Sequence, residues 1–130
     1  MSFSNAFETH LLTYLFTSGT PSPTRPTAWH VAAFTSNPAE DASGTEVSGN
    51  GYTRKPATFT VSGNLATNST AAIEFPTCTG SNWGAVTHIG VFDAATSGNL
   101  IAYSALSSTK TIEVGDVLRI PQNDLDVSLD

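Results

Sequence analysis

The stretch SGTEVSGNGYTRKP, Ser43 to Pro56, sets glycines at 44, 49 and 51 ahead of two cations, Arg54 and Lys55. A glycine-rich loop followed by a basic residue can cradle phosphate, because backbone N–H groups converge where no side chain intervenes. The spacing here does not fit that chemistry. A Walker-type loop needs Gly-x-x-x-x-Gly-Lys-Ser/Thr between a strand and a helix, and no Lys follows Gly49. A dinucleotide fingerprint fails too, since Arg54 stands where a third glycine is required and strand-like residues follow. The expected role is structural: Asn50-Gly51 supplies positive φ for a turn or bulge leading into a strand.

The other reactive side chains are scattered. Glu40, Asp41 and Glu46 share one loop, and Asp124, Asp126 and Asp130 cluster at the end of the chain, but neither set has the alternating acids of a calcium loop. His10, His30 and His88 make no pair at zinc-binding spacing, and Cys78 has no Cys or His companion nearby. Serines abound without a Gly-x-Ser-x-Gly elbow to single one out. The residues therefore offer no catalytic, cofactor-binding or metal-ligating set, and an enzyme is the least supported class. Among aromatics, Trp29 reads as core. Trp83 lies in the polar loop PTCTGSNWG and, with Tyr52, is a candidate contact residue.

Composition limits the partners. Charged residues make up only 12% of the 130, while 15 serines and 19 threonines keep the surface wet with hydroxyls. That balance, with plentiful glycine and β-branched residues, suits exposed strands and turns. The net charge of -6 and the absence of a basic run beyond Arg54-Lys55 speak against nucleic acid and against an anionic membrane surface. A single cysteine excludes an intrachain disulfide framework. The opening MSFSNAFETHLLTYLF lacks the charged and apolar regions of a signal peptide, so synthesis in a cytoplasm is expected and the Asn68-Ser69-Thr70 sequon is discounted.

One helix is predicted. Phe3, Phe7, Leu11 and Leu15 recur every four residues, with Leu12 and Phe16 widening the stripe. Asn5 and Glu8 have capping-box spacing, with Ser2 and Ser4 as alternative caps. Gly19 offers a stop, and prolines 21, 23 and 26 lead into an extended connector over 20–27. From Ala28 the period is two. AWHVAAFT has apolar residues on both faces, TFTVS alternates Phe59 and Val61, and AAIEF, VTHIGVFD and LIAYSAL follow. TIEVGDVLRI holds a tight turn at Val114-Gly115-Asp116. LDVSLD points Leu125, Val127 and Leu129 inward and Asp126, Ser128 and Asp130 outward. Six to eight short strands predict a mainly β protein, a single antiparallel β-sandwich or small barrel over 28–130, preceded by an amphipathic helical arm over 1–27.

The order of these segments carries a resemblance. WHVAAFTSNPAEDASGTEVSGNGYTRKPATFTVSGN, then AAIEFPTCTGSNWGAVTHIGVFDAATSGNLIAYSAL, then TIEVGDVLRI and LDVSLD resemble a family of small tailed-phage virion proteins often labelled tail fibre protein. The most specific pieces are Gly44-Thr45-Glu46-Val47 leading to Gly51-Tyr52, and Trp83-Gly84 leading to His88-Ile89-Gly90-Val91-Phe92-Asp93. These are structural signatures, and the resemblance implies a virion structural protein without an active site. A fibre shaft is long and repetitive, whereas this chain is short. The expectation is therefore a capsid decoration (cement) protein, bound as oligomers, trimers favoured, to the major capsid protein on the outer head. A tail fibre, tail-tip or adaptor protein is the alternative, and a carbohydrate-binding module a third reading. The expected protein contacts are Phe3, Phe7, Leu11, Leu15 and Phe16 of the arm, with Tyr52 and Trp83 from the loops.

Overall fold

The computed structural model describes residues 1–20 and 23–129. Pro21 of the connector and Asp130 of the terminal acidic cluster lie outside the described residues. The chain is mainly β, with antiparallel sheets facing one another in a sandwich-like arrangement and no closed barrel. It folds in the order β1 (Ser2–Phe3), α1 (Asn5–Phe16), β2 (Trp29–Phe34), β3 (Lys55–Ala57), β4 (Thr60–Ser62) and β5 (Leu65–Thr67). Then come β6 (Ile73–Glu74), β7 (Gly84–Phe92), β8 (Leu100–Ile112), β9 (Arg119–Ile120) and β10 (Asp126–Ser128). These ten strands exceed the expected six to eight because three of them, β1, β6 and β9, are two-residue pairings made by distant segments.

The frame is a five-stranded sheet in the order β1-β8-β7-β2-β3, facing a three-stranded sheet β10-β5-β4 and the pair β6-β9. Period two explains the central strands. Val31 and Ala33 of β2 pair with Val91 and Ile89 of β7, which turns all four toward the main core with Val86, Ile73, Phe75 and Ile112. Ala32 and Phe34 point the other way and pack with Phe92 and Leu100, so the expectation that β2 is covered on both faces holds. Gly90 is required on that second face. A Cβ there would come within 2.9 Å of the Leu100 side chain and 3.0 Å of the Phe34 ring.

Strand β8 is longer than its LIAYSAL signal. Its pairing with β7 is interrupted, because Val86 faces Lys110 whereas His88 faces Ala105, leaving Leu106, Ser107, Ser108 and Thr109 opposite Thr87 alone. Ser107, Ser108 and Thr109 are exposed. The turn at Val114-Gly115 forms as predicted, with Gly115 at φ 93° and the Asp116 N–H donating to the Glu113 carbonyl at 2.9 Å.

Helix α1 is capped by Ser4, not Asn5. The Ser4 hydroxyl accepts from the Phe7 N–H at 3.5 Å and also donates to the Leu100 carbonyl, while the Ser4 N–H donates to the Ile101 carbonyl at 2.9 Å. The cap thus ties the helix start to β8, and β1 pairs Ser2 with Tyr103 and Phe3 with Ala102 just before it. At the far end Thr17 leaves the helix in extended conformation and donates its N–H and hydroxyl to the Thr13 carbonyl, so the stop comes before Gly19.

Two inward assignments reverse. Val61 is 75% exposed, because β4 is the edge of the three-stranded sheet. Leu129 is 49% exposed beyond the end of β10, although Leu125 is buried as expected.

Candidate functional site

The glycine loop resolves into a clamp. Asn50 and Gly51 take positive φ, 53° and 83°, and turn the chain into Tyr52, whose N–H donates to the Gly49 carbonyl at 2.9 Å. Arg54 then lies inward instead of offering a cation to a phosphate. Its Nε and Nη2 donate to the two Glu46 carboxylate oxygens at 2.8 Å each, and Nη1 donates to the carbonyls of Ala94 and Ser97 at 3.0 and 2.7 Å. The guanidinium carbon stands 3.6 Å from the Phe92 ring centroid, a cation–π geometry. A forked pair of this kind is shorter and more directional than a lone ammonium contact.

Tyr52 completes the clamp. Its hydroxyl donates to Glu46 Oε1 at 2.7 Å and accepts from the Ala33 N–H at 3.0 Å. Burial holds this phenol well above its ordinary value near 10, and the neighbouring Glu46 carboxylate adds to the rise. A phenol whose folded value is raised binds its proton more tightly in the native state. Its stability contribution is intact below pH 10 and is lost as pH climbs above the unfolded value. Alkaline unfolding should therefore steepen above pH 10, by up to about 1.4 kcal/mol per pH unit from this group. In Tyr52→Phe that part of the slope should vanish, read from urea midpoints between pH 9 and 11. An unchanged slope would remove Tyr52 from the alkaline transition.

Trp83 is an interior residue, 7% exposed. Its Nε1–H donates to the Asn50 carbonyl at 3.0 Å, Tyr52 meets it edge-on at 5.4 Å between centroids, and Phe75 lies 6.4 Å away. Tyr52 and Trp83 thus come together, but as a packed aromatic cluster under the loop and not as a platform for a sugar. Cys78 is fully buried, its thiol donating to the Ser81 carbonyl at 3.2 Å.

The acids and histidines stay apart. Among the described residues no three His, Cys, Asp or Glu side chains converge as metal ligands. Ser43 hydrogen bonds hold the exposed Asp41 carboxyl below its usual range, within the turn itself. His88 shares a 2.8 Å hydrogen bond with Thr87, and His10 stacks on Phe7 with centroids 5.4 Å apart.

The unusual surface is the C-terminal half of α1. Phe7 is buried, but Leu11, Leu12, Tyr14, Leu15 and Phe16 are 42 to 78% exposed. Apolar side chains surround most of this end of the helix, and such a helix normally lies within protein on all sides. Phe3 is half-buried on β1 and lines a groove of about 320 Å3 with Trp29, Phe59, Val61, Val91 and Val127. That groove opens between the five-stranded sheet and the three-stranded sheet. Sequence alternation brought Phe59 and Val61 to notice as core residues, but only the strand pairing places them at an opening.

Comparison with known proteins adds one finding. The profile of the family described as Podophage GP4 fiber I protein gp80 matches residues 2–128. No curated protein matches the chain.

Proposed function

Because the chain belongs to the family described as Podophage GP4 fiber I protein gp80 over nearly its whole length, we propose that it is a fibre component of a podophage virion, with a structural and not an enzymatic role. The family description names a fibre and nothing in it points to the head, so it favours the tail-fibre alternative over the expected capsid decoration protein. The supporting observation in the molecule is the exposed apolar end of α1, joined to a sandwich in which Arg54, Glu46, Tyr52 and Trp83 are turned inward to hold the fold. A fibre subunit needs such a surface, because assembly must bury area that the single protomer leaves open.

In this reading the partners are further copies of the chain and the neighbouring virion proteins to which the fibre attaches. The major capsid protein enters only if the subunits stand on the head. Immunogold labelling of intact virions with antibody against the protein tests the placement. Gold confined to tail-side appendages is the expected result, whereas gold spread evenly over the head would overturn the fibre placement and restore decoration of the shell.

A further inference from the structure

We infer that the apolar C-terminal turn of α1 in one copy docks into the groove between the two sheets of a second copy. The contact gives the fibre reading a specific partner and a specific surface. It concerns the purified protein, so its failure leaves the virion labelling untouched, and failure of the labelling leaves the contact standing.

The knob is built by Leu12, Leu15 and Phe16, exposed at 59, 60 and 78%. Phe16 and Tyr14, at 78 and 67% exposure of rings that bury roughly 150–250 Å2 each, leave on the order of 300 Å2 open by themselves. With the three leucines the patch reaches the largest size that ordinary monomers tolerate. The hole is the groove floored by Val91 and walled by Trp29, Phe59, Val61 and Val127. Knob and hole are the two sides of one contact, which at this size lies toward the small end of specific interfaces, where a standard one buries roughly 800 Å2 per partner. The described residues fill neither, since the helix end stays exposed while the groove stays open.

Electrostatics match the same pair. The one charged residue on α1 is Glu8, in the first turn, so the docking end carries no charge and its last turn has no cation to meet the outward carbonyls. Among the described residues Arg25 is the one charged side chain lining the groove. A guanidinium at the C-terminal end of a helix, where the macrodipole is negative, is favourable. No acidic side chain among the described residues lines the groove or lies in the last two turns of α1, so two copies meet there without like-charge opposition. A knob on one surface and a hole on another make a head-to-tail contact, which closes into a ring when its rotation permits.

Two preparations test it, one carrying Phe16→Cys and the other Val61→Cys. The native Cys78 is buried and does not compete for the cross-link. Mild oxidation of the mixture should give a disulfide-linked dimer that neither preparation gives alone. Dimers of Phe16→Cys by itself would overturn the inference in favour of helix-to-helix packing. So would a mixture that gives no dimer, with the wild type running as a monomer by light scattering. As a second variant, Val61→Arg alters a position already 75% exposed and should fold normally by circular dichroism. It should reduce the wild-type oligomer to monomer, and an unchanged oligomer mass would also overturn the contact.

Discussion

A Trp83→Ala protein should lose about 4 kcal/mol of stability, the scale on which a large aromatic leaves a cavity in a packed core. Trp83 is 7% exposed, and its two aromatic neighbours, Tyr52 and Phe75, lean on it from different directions. The indole N–H also holds the Asn50 carbonyl, at the turn that delivers Tyr52 and Arg54 to the clamp. The loss is a large part of the roughly 5–15 kcal/mol that a domain possesses, so the variant should be partly unfolded near body temperature. Urea unfolding followed by far-ultraviolet circular dichroism reads it. Trp83→Phe, which keeps a ring and surrenders only the hydrogen bond and some volume, should fall between wild type and alanine. If Trp83→Ala unfolded at the wild-type midpoint, the residue would have to be reassigned to a surface role.

The second large effect is at Arg54. Its side chain is 8% exposed, and in Arg54→Ala the Glu46 carboxylate, itself 25% exposed, loses both forked hydrogen bonds and keeps only the Tyr52 hydroxyl. The carbonyls of Ala94 and Ser97 lose their donor in the same stroke, and the Phe92 ring loses its cation. Removing one partner of a buried pair leaves an uncompensated charge, so about 3 kcal/mol is expected. For a chain of this size that lowers the thermal midpoint by roughly 10 °C. Arg54→Lys retains the charge but cannot span both carboxylate oxygens and two carbonyls, so it should recover only part of the loss. A melting curve of Arg54→Ala that overlays the wild type would show that the clamp does not support the fold.

Much of this architecture is legible in the residues. The apolar runs in AWHVAAFT and VTHIGVFD locate the two central strands, because a strand covered on both sheet faces has apolar residues at successive positions. Asn50-Gly51 and Val114-Gly115 are readable as turns, since their conformations need left-handed backbone. The departures share a cause, which is that tertiary partners are not written in local sequence. Val61 and Leu129 have the pattern of inward residues, but alternation says only that a strand has an apolar face, not that something covers it. The pairing of Ser2 with Tyr103 joins positions about a hundred residues apart, and no local signal encodes such a pair. Arg54 looks like a free cation in sequence because its partners, at 46, 94 and 97, come from two separate loops. Trp83 looks exposed for the same reason: its loop is polar, while the space beneath it is made by residues elsewhere in the chain.

The surplus in β8 has a practical meaning. Ser107, Ser108 and Thr109 are exposed and stand where the partner strand has nothing to pair with them, so the ladder on either side already tolerates extra chain at this point. Loop-closure entropy rises only slowly with added length, by about 0.6 kcal/mol for each doubling. A foreign epitope spliced between Ser107 and Ser108 would extend an existing detour without opening a new one, making this edge of the sheet a natural cargo port for peptide display.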